Sequence, residues 1–87
     1  MNLEDLTRKA GVDASAFFTT FHSKIDLEWS AKLVADLPEH VAVTLFGQYC
    51  YKRRALNNGR SPNIWLRKRV ATITEMVNQF PIPVFHI

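Results

Sequence analysis

The stretch PEHVAVTLFGQYCYKRRAL, residues 38–56, predicts a long helix with an apolar first part and a basic end. Pro38 suits the first turn of a helix, and Glu39 behind it favours the positive end of the helix dipole. The helix is expected to run to about Leu56. Its inward face is predicted to consist of Val41, Leu45, Phe46 and Tyr49. Residues 57–59, Asn-Asn-Gly, predict the turn that ends it, because Asn and Gly tolerate positive φ.

A second long helix is predicted after this turn, with Ser61 as its N-cap and Pro62 at its first helical position. Its apolar stripe is Leu66, Val70, Ile73, Val77 and Phe80. Spacings of four, three, four and three place these residues on one face, so we expect the whole stripe to be packed. The tail PIPVFHI, residues 81–87, cannot continue the helix through its two prolines. It is predicted to be extended and apolar.

The first 35 residues predict three shorter helices. The first is expected over about Leu3 to Lys9, with Leu3, Leu6 and Ala10 on one face, and Gly11 ends it with a tight turn. Asp13 is a natural N-cap for the second, which buries Phe17 and Phe21. The third is expected from about Lys24 to Ala35. Its inward positions are Ile25, Trp29 and Leu33, with Leu27 and Val34 as further candidates.

These patterns predict one all-α domain over residues 1–87, a compact bundle of about five helices. Helical spacing dominates, and no alternating run indicates a strand. We divide the domain into a half that resembles a helix-turn-helix (1–35), two longer helices (38–80) and the tail (81–87). Cys50, the single cysteine, excludes an intramolecular disulfide framework and favours a reducing cytoplasm. No apolar run approaches the roughly 18 residues that a membrane span needs.

Charge is distributed unevenly along the chain. Residues 1–43 contain four Lys or Arg against seven Asp or Glu, whereas residues 44–87 contain seven against one, a local net charge of +6. The seven basic residues of the second half are Lys52, Arg53, Arg54, Arg60, Arg67, Lys68 and Arg69. Because they lie near the facing ends of two predicted helices, we expect one basic surface there, suited to nucleic-acid phosphates or an acidic protein. Tyr51 and Trp65 are candidates for stacking on bases, or for partial burial.

The segment LEDLTRKAGVDASAFFTTFHSKIDL, residues 3–27, resembles the helix-turn-helix of TetR-type repressors. The match rests on Ala10-Gly11-Val12, Phe17-Phe18, Phe21, Ser23-Lys24 and Leu27. The resemblance implies that residues 14–20 form a recognition helix. It also implies a phosphate contact from Lys24. The hydroxyl groups of Ser15, Thr19 and Thr20 are further candidates for hydrogen bonds to base edges or phosphates. This helix has no basic residue, so it either reads a groove through hydroxyl groups or serves as scaffold.

Residues 37–69 resemble the N-terminal, non-catalytic region of replication initiators from temperate tailed phages. The residues that match are Leu37-Pro38, Leu45-Phe46, Tyr49, Tyr51, Arg53-Arg54, Ser61-Pro62 and Leu66. The resemblance implies an association with the replication of mobile elements. It does not extend to DNA nicking, because His22, His40 and His86 lie far apart and Tyr49 and Tyr51 face different sides of a helix.

No catalytic, metal or cofactor motif is present in the sequence, and Cys50 in an apolar helix is expected to be a buried structural thiol. We therefore expect a non-enzymatic binder without a cofactor. One hypothesis is a small cytoplasmic DNA-binding protein of phage or mobile-element type, a regulator or replication accessory. The alternative is a protein–protein interaction module, such as a phage-encoded inhibitor of a host nucleic-acid-binding or defence complex. Homodimerisation is also expected to be possible, because the last helix and the tail offer much apolar surface.

Overall fold

A computed structural model describes residues 2–13, 23–55 and 62–79, apart from the side chains of Ser23, Arg54 and Ala55. These ranges contain four α-helices and no strand: α1 (Leu3–Ala10), α2 (Ser23–Val34), α3 (Glu39–Ala55) and α4 (Pro62–Gln79). The all-α class predicted from the sequence is confirmed for the described residues. The predicted helix with Phe17 and Phe21, which would be the fifth, lies outside them, as do Phe80 and the predicted tail 81–87.

Both ends of α1 are capped by local interactions that its sequence favours. The Asn2 side chain accepts a hydrogen bond from the backbone amide of Asp5 at 2.8 Å. At the other end Gly11 adopts φ +71°, and its amide donates to the carbonyl of Arg8 at 3.2 Å. This left-handed conformation is open to glycine without strain, so the helix end predicted at Gly11 is confirmed.

The helix α3 contacts each of the other three helices and contributes most of the buried apolar side chains. Those from α3 are Ala42, Leu45, Phe46, Tyr49 and Cys50. The remaining buried apolar residues are Leu6 from α1, Leu27 and Val34 from α2, and Leu66 from α4. The predicted inward face of α3 is confirmed at three of its four positions, and Val41 is half-buried.

The inward face of α2 differs from the predicted one. Ile25 is 64% exposed, so its predicted burial is wrong. The buried positions are Leu27, Ser30 and Val34, and the Ser30 hydroxyl donates to the Leu27 carbonyl at 2.9 Å. Two residues along a helix correspond to about 200° of rotation, so burial of Leu27 turns Ile25 towards the opposite side. Trp29 and Leu33 are half-buried at the edges of this face.

The apolar stripe of α4 is buried only near the start of the helix. Leu66 is fully buried, Val70 and Ile73 are half-buried, and Val77 is 39% exposed. The prediction that the whole stripe is packed is therefore wrong at Val77. Eighteen residues make a helix about 27 Å long, and every described residue after Ile73 is exposed. The later turns of α4 thus extend past the helices that cover its first turns.

Alanine substitution at Leu66 and Val77 distinguishes these two parts of α4. Leu66→Ala should lower the free energy of unfolding by about 2–5 kcal/mol, because it leaves a cavity in the core. Val77→Ala should change it by no more than about 0.5 kcal/mol, as expected at an exposed position. Urea unfolding followed by circular dichroism measures both values. Equal losses would show that the stripe is packed along its length.

The same substitution at two glycines should have opposite effects on stability. Gly11→Ala should destabilise the fold by about 1 kcal/mol, because its φ is +71° although no atom lies within 4 Å of an added Cβ. Gly47→Ala should stabilise it by roughly 0.5–1 kcal/mol, because alanine favours the helical state and its Cβ would meet Ala10 at an ordinary 3.7 Å. Thermal unfolding of both variants checks the signs, and a shift in the same direction would contradict this account.

Candidate nucleic-acid interface

Two cationic side chains from different helices lie over one tryptophan ring. The Nζ atom of Lys52, near the end of α3, is 5.0 Å from the centroid of Trp65 in the first turn of α4. The Cζ atom of Arg69, one turn further along α4, is 5.9 Å from the same centroid. Both distances fall within the range of a cation–π interaction, which contributes about 0.5–1 kcal/mol at an exposed site. Lys52 from the end of α3 and Arg69 from α4 therefore meet at the ring of Trp65.

We call the exposed cations of this region, Lys52, Arg67, Lys68 and Arg69, the basic corner. Arg67 has its Cζ atom 5.6 Å from the centroid of Trp29 on α2. The side chain of Lys68 makes no hydrogen bond, ion pair or ring contact with any described residue, although its backbone carbonyl accepts a hydrogen bond from the Thr72 hydroxyl at 2.9 Å. The basic corner thus spreads around the first turns of α4, from the Trp65 side to the Trp29 side.

Arg53 is held differently from its basic neighbours. Its Nη2 atom forms an ion pair with Oδ2 of Asp26 on α2 at 2.7 Å, and the two side chains are only 22% and 20% exposed. The guanidinium is therefore occupied in joining α3 to α2. Of the residues predicted to contact a phosphate, Arg53 is the one whose charge is already paired within the described chain.

The position of α4 is set by a hydrogen bond from α3. The Tyr49 hydroxyl donates to Oδ1 of Asn63 at 2.6 Å, in the first turn of α4. The Tyr49 ring lies 6.2 Å from Trp29 at an interplanar angle of 51°, a tilted aromatic contact. Burial raises the pKa of Tyr49 to about 12, since a buried phenolate would be poorly solvated.

The acidic residues that form ion pairs in the described chain do so away from the basic corner. Asp5 forms an ion pair with Arg8 at 2.6 Å, and Glu39 pairs with Lys9. The Lys9 ammonium lowers the pKa of Glu39 through this contact. No described carboxylate forms an ion pair with the basic corner. Its positive charge is therefore uncompensated within the part of the chain that the structure describes.

Several predicted contact residues cannot be placed at this surface. Arg60, Ser15, Thr19 and Thr20 lie outside the described residues, and only the backbone of Arg54 is described. Lys24 is exposed in the first turn of α2. The recognition helix implied for residues 14–20 by the TetR resemblance thus stays a prediction. Sequence reasoning identified Trp65 as a candidate for this surface, but it did not identify Trp29, Asp26 or Asn63 as residues that position it.

The described residues offer no constellation for metal chemistry. No three His, Cys, Asp or Glu side chains are grouped within residues 2–13, 23–55 and 62–79 as a metal site would need. Cys50 is buried, as predicted for a structural thiol, and burial raises its pKa to about 12. Such a thiol is a poor nucleophile at neutral pH. None of the four described helices combines the length and apolar character that a membrane span requires.

A double-mutant cycle on Asp26 and Arg53 should reveal coupling across the α2–α3 contact. We expect Asp26→Asn and Arg53→Met each to lower the free energy of unfolding by roughly 1–3 kcal/mol, since each leaves a poorly solvated partner unpaired. The double variant should lose less than the sum, with a coupling of about 1 kcal/mol.

The matched control is the more exposed Asp5–Arg8 pair, whose side chains are 39% and 68% exposed. Its coupling should stay below about 0.5 kcal/mol, because solvent screens an exposed ion pair. Urea unfolding gives all the values. If the two pairs show the same coupling, Arg53 does not join α3 to α2 in the way described.

Comparison with known proteins identifies no relative. No family model, curated protein or solved structure matches the chain. The resemblances to TetR-type repressors and to phage replication initiators accordingly stay predictions.

Proposed function

We propose that the chain is a non-enzymatic DNA-binding protein whose basic corner contacts phosphates. The observation that supports this most directly is the meeting of Lys52 and Arg69 over Trp65 with no carboxylate paired to either among the described residues. A surface cation without an acidic partner can neutralise a phosphate without first breaking an ion pair. Phosphate neutralisation supplies essentially all of non-specific DNA affinity.

The start of α4 adds to this attraction. The amide groups in the first turn of a helix favour anions, and this turn contains no acidic residue. Arg67, Lys68 and Arg69 follow within the next turn, so the helix dipole and the side-chain charges act in the same direction. A phosphate near this end of α4 would meet both. In keeping with the phage-type resemblance, we propose a cytoplasmic regulator or replication accessory.

A second candidate function is supported by the far end of α4. Met76 is 53% exposed and Val77 is 39% exposed, so apolar surface is available for another protein or a second copy of this chain. In this alternative the chain is a protein–protein interaction module, such as an inhibitor of a host nucleic-acid-binding or defence complex. The basic corner would then face acidic groups of the partner. A homodimer through α4 is compatible with either function, and sedimentation as a monomer at tens of micromolar would contradict it.

The test of DNA binding is a salt titration with a random duplex, followed by fluorescence anisotropy. Four phosphate contacts predict that the logarithm of the association constant falls against the logarithm of salt concentration with a slope between about −3 and −4. Lys68→Glu should weaken binding and make the slope shallower by about one, because the Lys68 side chain is exposed and makes no contact with a described residue. A loss of DNA affinity in Lys68→Glu cannot be attributed to a disturbed core, because the Lys68 side chain is exposed.

The matched control is Lys32→Glu, which makes the same charge change at an exposed lysine of α2. It should leave affinity nearly unchanged. Arg53→Glu is unsuitable as a test, because it would place a second carboxylate beside Asp26 and disturb the fold. If the wild type binds no duplex at low salt, the DNA-binding proposal is wrong. Equal losses for the two lysine variants would show only a general effect of net charge.

A further inference from the structure

We infer that the ring of Trp65 is a stacking platform for an unpaired base, which makes single-stranded nucleic acid the preferred ligand of the basic corner. This inference rests on the proposed function and narrows it to one ligand class. It depends on which side chains lie over the Trp65 ring and on how readily a base can displace them.

Trp65 is only half-buried, and the groups placed over its ring are two exposed, flexible cations. Lys52 and Arg69 make no ion pair with a described residue, so nothing else in the described chain holds their charged ends. Rotation of these two side chains would uncover ring surface without moving the backbone. Trp29 is also half-buried and has Arg67 over its ring, but it differs in that the ring packs against the fully buried Tyr49.

A nucleotide strand would supply better partners for the Trp65 ring, for Lys52 and for Arg69. A base offers a π-face to the indole, and stacking of this kind is tolerant of base identity. The displaced Lys52 and Arg69 would gain the phosphates on either side of that base. The uncovered ring and the two released charges thus match the alternation of base and phosphate along one strand.

Single strands are favoured over duplex by the same geometry. In a duplex both faces of each base are stacked on neighbours, so Trp65 would reach a base only by opening the helix. The charge density of a single strand is lower, and phosphate contacts alone therefore give it a shallower salt dependence than duplex. An affinity for single strands above that for duplex would have to come from contacts with bases.

The experiment uses the full chain carrying Trp29→Phe, so that Trp65 is the only tryptophan and reports through its fluorescence. The probes are oligothymidylate of about 10 nucleotides, within the usual site size of such surfaces, a duplex of equal length, and heparin. Heparin is a polyanion without bases and tests whether any anion changes the signal. We expect oligothymidylate to quench Trp65 strongly, and duplex and heparin to bind with little quenching.

Affinity measurements on Trp65→Leu provide the second arm. The substitution should weaken binding of oligothymidylate roughly tenfold, about 1.4 kcal/mol, and change duplex affinity by less than about twofold. Trp65→Phe should retain most of the single-strand affinity, because a ring remains. If Trp65→Leu does not fold, the quenching arm still decides, since it leaves Trp65 unchanged.

The outcomes separate the two proposals. Binding of oligothymidylate without quenching, or with equal quenching by heparin, overturns the stacking inference and leaves phosphate contact standing. Single-strand affinity that is unchanged in a folded Trp65→Leu protein also overturns it. If neither nucleic acid binds at low salt, the inference and the proposed function fail together, and binding of heparin alone would point to an acidic protein partner.

Discussion

The packing of Tyr49 between Trp29 and Asn63 is the constraint on which the rest of the structure depends. The Tyr49 side chain, on α3, is fully buried. Its ring lies against that of Trp29 on α2, and its hydroxyl donates a hydrogen bond to Asn63 in the first turn of α4. One turn further along α3, Arg53 pairs with Asp26 of α2. The start of α4 is thereby fixed beside the end of α3. That arrangement brings Lys52 and Arg69 to the same tryptophan.

The two halves of the chain differ in how their charged side chains are paired. Two acidic residues of the first half pair with cations of the same half, Asp5 with Arg8 and Glu39 with Lys9. Among the described residues, Arg53 of the second half forms an ion pair with Asp26 of the first half. Four cations of residues 44–87, those of the basic corner, are therefore left exposed without a described carboxylate partner, and three of them lie over tryptophan rings. A surface of this kind remains available to phosphates.

Local rules account for what the sequence could predict, and tertiary contacts account for what it could not. The end of α1 at Gly11 follows from the backbone preference of a single residue, and this prediction is confirmed. Pro62 is the first described residue of α4, and the predicted N-cap Ser61 lies outside the described residues. The exposure of Ile25 and Val77 depends on which helices lie alongside, which helical spacing alone does not specify. Within the candidate site, the sequence indicated the basic residues and Trp65. The pairing of Arg53 with Asp26 joins positions far apart in sequence, so no spacing rule could reveal it.

The central claim is that nucleic acid binds where α3 and α4 meet, rather than along residues 14–20. The most direct measurement is a titration of isotope-labelled protein with a short DNA strand, followed by ¹H–¹⁵N correlation spectra. The account predicts that the largest shift changes occur at the indole of Trp65 and the backbone amides of Lys52, Lys68 and Arg69. Changes confined to residues 14–20, or no change at low salt, would contradict it.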